Sequence, residues 1–268
     1  MAKVGLAYGG SRHEGVYAGA FANGELCGVA AHYWNGNIVM QAPSAADELA
    51  VAAVECSGRA VNGLLGPWAQ VRAAREALGM VNDPTRYDSE EILYELTLEN
   101  LRVPPQIADG TFVCRYGEIA DVPPLVEMSV ADNEEVFNEI DSPALRTRLH
   151  RWIEQSTREH NVFVLEDGPE AVAISFFQGR AYGRVQVGGV YTLPEYRNRG
   201  CARSIVAGSL LLGRDDGIDS ATLFTGVDNV AAQRAYENIG FRPVGDYGLV
   251  LFARAAGDAG SLAANTPP

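Results

Sequence analysis

Residues 185–212, VQVGGVYTLPEYRNRGCARSIVAGSLLL, constrain the fold of this chain more than any other stretch. They read as an apolar strand, a polar turn holding arginines and a glycine, and a helix in which Ala202, Ile205, Val206, Ser209 and Leu210 recur at helical spacing. In Arg197-Asn198-Arg199-Gly200-Cys201-Ala202 the turn ends where the helix begins. The first helical N–H groups therefore have no intrahelical acceptor. With the positive end of the helix dipole and a glycine that lets backbone come close, they make an anion cradle suited to a pyrophosphate. Arg197, Arg199 and Arg203 add charge to it.

Downstream, Ser220 to Thr225 (SATLFT) reads as a strand, followed by Asp228-Asn229 and a helical run to Ile239 that Gly240-Phe241 stops. Ala232, Ala235, Tyr236 and Ile239 share one face of that helix. The pattern R-x-x-G-x-A formed by Arg197, Gly200 and Ala202, after a strand ending in Gly-Val-Tyr-Thr and then Pro-Glu-Tyr, resembles motif A of the GNAT superfamily of acyl-CoA-dependent N-acyltransferases. N-x-x-A-x-x-x-Y-x-x-x-G-F from Asn229 to Phe241 resembles its motif B. The two stand in the family's order and separation.

At 268 residues and 47% hydrophobic content the chain can hold one large domain or two ordinary ones with real cores. No apolar run is long enough for a membrane helix, and MAKVGLAYGG lacks the regions of a signal peptide, so a cytoplasmic protein is expected. Cys27, Cys56, Cys114 and Cys201 lie far apart with no histidine at ligand spacing, which points to free thiols and to no metal site. A net charge of −13 disfavours nucleic acid or an anionic membrane as the main partner. It would suit a cationic amine acceptor, but ordinary solubility explains it as well and is the preferred reading.

In chain order, Gly15 to Phe21, Leu26 to Tyr33 and Ile38 to Ala42 read as an antiparallel meander turned at Asn23-Gly24 and Asn35-Gly36. A helix from Ala45 to Cys56 follows, with Ser44 as its expected cap. Val61 to Leu65 is a short strand, and Pro67 starts a helix that runs to Gly79. Ile92 to Leu101 has the period of a strand, with a composition that also suits a helix. Arg102-Val103-Pro104-Pro105 reads as the domain boundary.

Beyond it come a strand at Phe112 to Arg115, helices opened at Pro123 and at Ser142-Pro143, and a hairpin over Val162 to Phe177 turned at Asp167-Gly168. Closing strands are expected at Pro243-Val244 and Leu249 to Phe252, and a mobile tail beyond Ala253. The first half repeats part of the second without the arginine–glycine turn.

The resemblance implies an α+β (mixed α/β) fold of two tandem GNAT-like domains, each a twisted, mostly antiparallel sheet flanked by helices. Residues 1–105 would be a degenerate N-terminal copy, 106–253 the catalytic domain and 254–268 the tail. It implies acetyl-CoA as acyl donor substrate, held by Val190, Tyr191, Thr192, Arg197, Asn198, Arg199, Gly200, Cys201, Ala202, Arg203 and Asn229. The Val190 amide would face the thioester oxygen, and Tyr236 would give a proton to the CoA sulfur, a phenol being protonated at neutral pH. Tyr236 also reads as a core ring and Asn229 as a plain N-cap.

Glu127, Asp132, Glu134 and Glu135 fall in or beside the helix that lines the acceptor cleft of similar proteins, and Glu127, Glu134 and Glu135 are carried as acceptor-side residues. No carboxylate stands in the Val185 to Thr192 strand, and no general base is assigned. The implied reaction is acetyl transfer to a primary amine of a small molecule by direct attack in a ternary complex. A protein or peptide N-acetyltransferase, a non-catalytic acyl-CoA sensor, and an N-terminal half that serves as partner or homodimerisation domain all stay open.

Overall fold

The computed structural model describes residue 11 and residues 13–253; the tail reading and the N-terminal MAKVGLAYGG lie outside them. Two compact units divide the chain, Met1–Ile92 with Gly245–Pro268 and Leu93–Val244. The expected boundary at the Pro104-Pro105 pair is thus displaced. Those prolines open a short helix inside the second unit, and the C-terminal strand returns to the first.

The first unit runs β1 (Gly15–Ala22), β2 (Glu25–Tyr33), β3 (Asn37–Gln41), α1 (Ala46–Ser57), β4 (Gly63–Gly66) and α2 (Trp68–Ala77), then the opening of β5 (Thr85–Thr97). Asn23 and Gly24 both take positive φ, which matches the twist of a tight hairpin between β1 and β2. β3 pairs antiparallel with β2 and parallel with β4, so α1 is a crossover helix.

Ile38, Met40, Leu49, Ala53, Leu64, Val71 and Val250 form the core between these strands and helices. Ser44 does not cap α1: Ala45 is the N-cap, with no side-chain bond. α2 is held at its start from far along the chain, where Asp246 Oδ1 accepts the Trp68 N–H at 3.0 Å. The run read as 92–101 is the second half of the long β5, which a short 3-10 turn at Leu98–Asn100 ends.

The second unit continues with α3 (Pro105–Ala108), β6 (Phe112–Tyr116), α4 (Val122–Phe137), α5 (Pro143–Arg158), β7 (Val162–Asp167), β8 (Glu170–Ala181), β9 (Arg184–Thr192), α6 (Cys201–Asp215), β10 (Ser220–Gly226) and α7 (Val230–Asn238). Its strand order is β5-β10-β9-β8-β7-β6. Pairing is antiparallel from β6 to β9 and parallel between β9 and β10. The helix expected to open at Ser142-Pro143 forms, and Ser142 caps it, its Oγ accepting the Leu145 N–H at 3.2 Å.

Alternation along the central strands supplies two apolar faces. Val162, Val164, Ile174 and Phe176 pack with Leu125, Val126, Leu149 and Ile153 of α4 and α5. Phe177, on the other face, meets α6 so closely that a Cβ on Gly213 would lie 3.0 Å from its ring. The two closing strands read from sequence are one strand, β11 (Arg242–Phe252), whose residues from Gly248 pair antiparallel with β4 in the first unit.

Candidate active site

β9 and β10 are in register only from Arg184 to Gln186 against Ser220 to Thr222. Past that point β9 runs on to Thr192 and β10 to Gly226 without pairing to each other, so the sheet opens into a notch. On its other side β9 loses register with β8 at a bulge, where Tyr191 pairs with Ile174 and Gly188 with Phe176. Gly189 and Val190 thus have a register partner on neither neighbour. Gly189 takes φ +56°, and a Cβ there would sit 2.6 Å from Phe176 Cδ2, so the backbone needs glycine on both counts. Two successive glycines in a strand leave room for a ligand close to the backbone, and Gly189 also makes the bulge.

Beyond the notch, Gly200 caps α6 in the left-handed conformation, φ 87° and ψ 10°, with no side chain closing the helix end. The first N–H to find an intrahelical acceptor is that of Ser204, on Gly200 O. The amides of Cys201, Ala202 and Arg203 precede it and supply the open donors of a helix N-terminus. A Cβ on Gly200 would lie 2.9 Å from Arg203 Nε and 3.0 Å from its Nη2. Nε of Arg203 is buried and has no hydrogen-bond partner. A diphosphate bridging these amides and that guanidinium fits the donor set, and the missing acceptor is what it would provide.

The other two arginines of the turn are engaged within the chain. Arg197 donates through Nη2 to both oxygens of Glu135, at 2.8 and 2.9 Å, and through Nε to Thr192 O, with its guanidinium 5.4 Å from the centre of the Tyr191 ring. Arg199 donates to Asp167 Oδ2 at 2.8 Å and lies over the Tyr196 ring. Asn198 takes φ 62°, which helps fold the loop back to Gly200. Cys201 is buried against Tyr196 O, and burial pushes its thiol up, away from reactivity. Thr192 Oγ1 is buried without a partner.

The family comparison bears on the span that builds this geometry. Residues 124–241 match the model of the acetyltransferase (GNAT) family. They form a GNAT domain. No curated protein sequence matches the chain. A GCN5-related N-acetyltransferase from Kribbella flavida is 15% identical, with a TM-score of 0.59, 91% of each chain being covered. A Drosophila protein, also 15% identical, gives a TM-score of 0.61 over 89% of this chain and 79% of its own. An acetyltransferase of the GNAT family from Colwellia psychrerythraea, again 15% identical, gives 0.53 over 88% and 85%. At such identities the likeness is one of fold, and it extends across most of the chain.

Within the GNAT domain, Asn229 is the N-cap of α7, its Oδ1 accepting the Ala232 N–H at 3.1 Å. Gln233, which sequence reasoning passed over, donates to Gly226 O and Val227 O and fixes the end of β10 at the notch. Tyr236 is the buried residue of α7, and its ring stands edge-on to Phe241 at 6.2 Å.

The three acceptor-side carboxylates separate. Glu135 lies against β9, where the Tyr191 hydroxyl donates to it at 3.2 Å. Glu127 instead pairs with Arg146, which also holds Asp141, and Glu134 is exposed. Asp132, one turn before Glu135, is half-buried, and its side chain makes no hydrogen bond or ion pair among the described residues. Burial and the negative charge of Glu135 push its carboxyl up to about 7, against the opposing pull of Arg197. No group of His, Cys, Asp or Glu suited to hold a metal occurs among the described residues, and no helix there is long and apolar enough to cross a membrane.

Proposed function

We propose that this chain is an acyl-CoA-dependent N-acyltransferase that moves an acetyl group from acetyl-CoA to the primary amine of a small molecule, by direct attack while both are bound. The observation that carries the reading is the unpaired backbone at Gly189 and Val190, in the notch between β9 and β10. Gly200 and the unpartnered Nε of Arg203, in the turn and helix that follow β9, support it. The resemblance to named N-acetyltransferases supports the donor. In this reading the cradle at Gly200 binds the diphosphate, the Val190 amide stabilises the developing negative charge on the thioester oxygen, and Tyr236 protonates the departing sulfur.

Under the same proposal the first unit is a degenerate second copy. Its β1-β2-β3-α1-β4-α2 repeats the strand directions of β7-β8-β9-α6-β10-α7. Gln41-Ala42-Pro43-Ser44 stands there in place of the arginine–glycine turn.

A second reading, a non-catalytic acyl-CoA sensor, is favoured by one feature: β9 carries no carboxylate to act as base. Thiol release from acetyl-CoA with a panel of polyamines, amino acids and antibiotic amines separates the two. Turnover with any amine excludes the pure sensor, and its absence across the panel, with acetyl-CoA still bound, excludes the acyltransferase.

A further inference from the structure

In the acyltransferase reading the Val190 amide polarises the thioester and Tyr236 protonates the leaving sulfur, but β9 carries no carboxylate that can take a proton from the amine. We propose that Asp132, on α4, is the general base of this site, and that it receives the proton from an ammonium acceptor. This rests on the acyltransferase reading given above.

α4 packs against β9, and the contact is pinned where Tyr191 donates to Glu135 at 3.2 Å. Tyr191 directly follows Val190, so this turn of α4 stands next to the unpaired stretch of β9. Asp132 precedes Glu135 by three residues and shares its side of the helix. The two carboxylates have been given opposite environments. Glu135 accepts from Tyr191 and from Arg197, which hold it in place. Asp132 is left without a donor, and one turn earlier Ser129 Oγ is also buried without a partner. Of two carboxylates in such unlike surroundings, the one without donors is the one placed to accept a proton.

The groups that act on Asp132 are Glu135 on its own helix, Tyr191 on β9 and Arg197 beyond it. From α5, packed against α4, Arg146 is occupied by Glu127 and Asp141, and Arg148 by Glu139. Arg158 pairs with Glu154, and His150 and Arg151 are exposed, so the cation that acts on Asp132 is Arg197. The resulting affinity of Asp132 for a proton near neutrality is what general-base catalysis at physiological pH requires.

The step balances as follows. The ammonium gives one proton to an Asp132 carboxylate oxygen, and the freed nitrogen lone pair forms the C–N bond with the thioester carbon. The C–S bond breaks, and the sulfur takes a proton from Tyr236. The second nitrogen proton restores that of Tyr236, and Asp132 passes its own to water, so one proton is released per turnover.

The test uses the full chain, acetyl-CoA, and the amine that gives the fastest thiol release in the panel. Asp132→Asn is expected to lower kcat at least about a hundredfold, to leave acetyl-CoA affinity within about twofold, and to abolish a limb of the kcat profile that rises through neutral pH. Asp132→Glu is expected to keep that limb at reduced kcat. Independently of turnover, 13C NMR of protein labelled at aspartate carboxyls is expected to show one resonance that titrates near neutrality and disappears in Asp132→Asn. An Asp132→Asn enzyme with wild-type kcat and an unchanged limb overturns the assignment, as does loss of acetyl-CoA binding or absence of the titrating resonance. A wild-type protein that turns over no amine, with that resonance present, overturns the acyltransferase reading itself.

Discussion

Gly200 and Arg203 lie against one another so closely that any Cβ on the first would stand 2.9 Å from Nε of the second. The glycine is held at φ 87°, where an L side chain costs about 1–2 kcal/mol. Gly200→Ala should therefore lower the melting temperature and weaken acetyl-CoA binding by tenfold or more, since it both strains the turn and pushes the guanidinium from its place. Thermal melts and calorimetric titration check the two effects separately. An alanine variant that binds as well as wild type would remove this glycine from the cradle.

Gly189→Ala addresses the notch. The added methyl would overlap the Phe176 ring at 2.6 Å, at a backbone angle that favours glycine. Strain and overpacking together should cost on the order of 2–4 kcal/mol. Denaturant unfolding measures the loss. A change below about 0.5 kcal/mol would mean that the bulge is not as tightly packed as described.

The fold of the second unit was legible because its elements carry local signals: Ser142-Pro143 before α5, the glycine of the basic turn before α6, and the apolar runs of β7 and β8 on either side of Asp167-Gly168. What escaped was set by distant residues. No local pattern reveals that Asp246 caps α2, or that β11 returns to the unit that β1 begins. Ser44 had the right chemistry for a cap, yet the chain folds with Ala45 in that position.

In the site, the positions of Arg197, Arg199 and Gly200 could be read from the motif, but their partners could not. Glu135 and Asp167 reach the turn through tertiary structure alone. The Gly-Gly pair inside a strand was the available signal for the bulge.

Asp167 holds Arg199 by an ion pair that is half exposed on the arginine side. Such pairs contribute about 0–1 kcal/mol, so they yield to a polyphosphate. Asp167→Asn should free the guanidinium and tighten acetyl-CoA binding by about two- to fivefold at low ionic strength, with the gain fading as salt screens it. Titrations at two salt concentrations check this. Weaker binding in the variant would mean that Asp167 positions Arg199 for the ligand instead of competing with it.

Tyr236→Phe keeps the ring that packs on Phe241 and removes the hydroxyl. Turnover should fall by about a hundredfold if the phenol protonates the departing sulfur, with acetyl-CoA affinity changed by less than about twofold. Steady-state kinetics beside calorimetry separates the two. Equal turnover would leave Tyr236 as a core residue only.

Asp132 should also be visible in stability. Its carboxyl holds a proton up to about pH 7 in the folded chain against an ordinary value of 3.8, so between these values the folded state binds more protons and stability falls as pH rises. Asp132→Asn removes that loss. The variant should gain on wild type from about pH 4 to 7 and stay ahead above, by on the order of 1–3 kcal/mol. Melting curves across that range check the sign; a difference that does not vary with pH would contradict the shifted carboxyl.

The most direct measurement is a calorimetric titration of the full chain with acetyl-CoA, set beside Arg203→Ala. Saturable binding of acetyl-CoA that weakens with added salt, and that Arg203→Ala weakens about tenfold or more, is the predicted result. No binding at high micromolar acetyl-CoA, or equal affinity in the variant, would contradict the claim that the turn at Gly200 grips the donor.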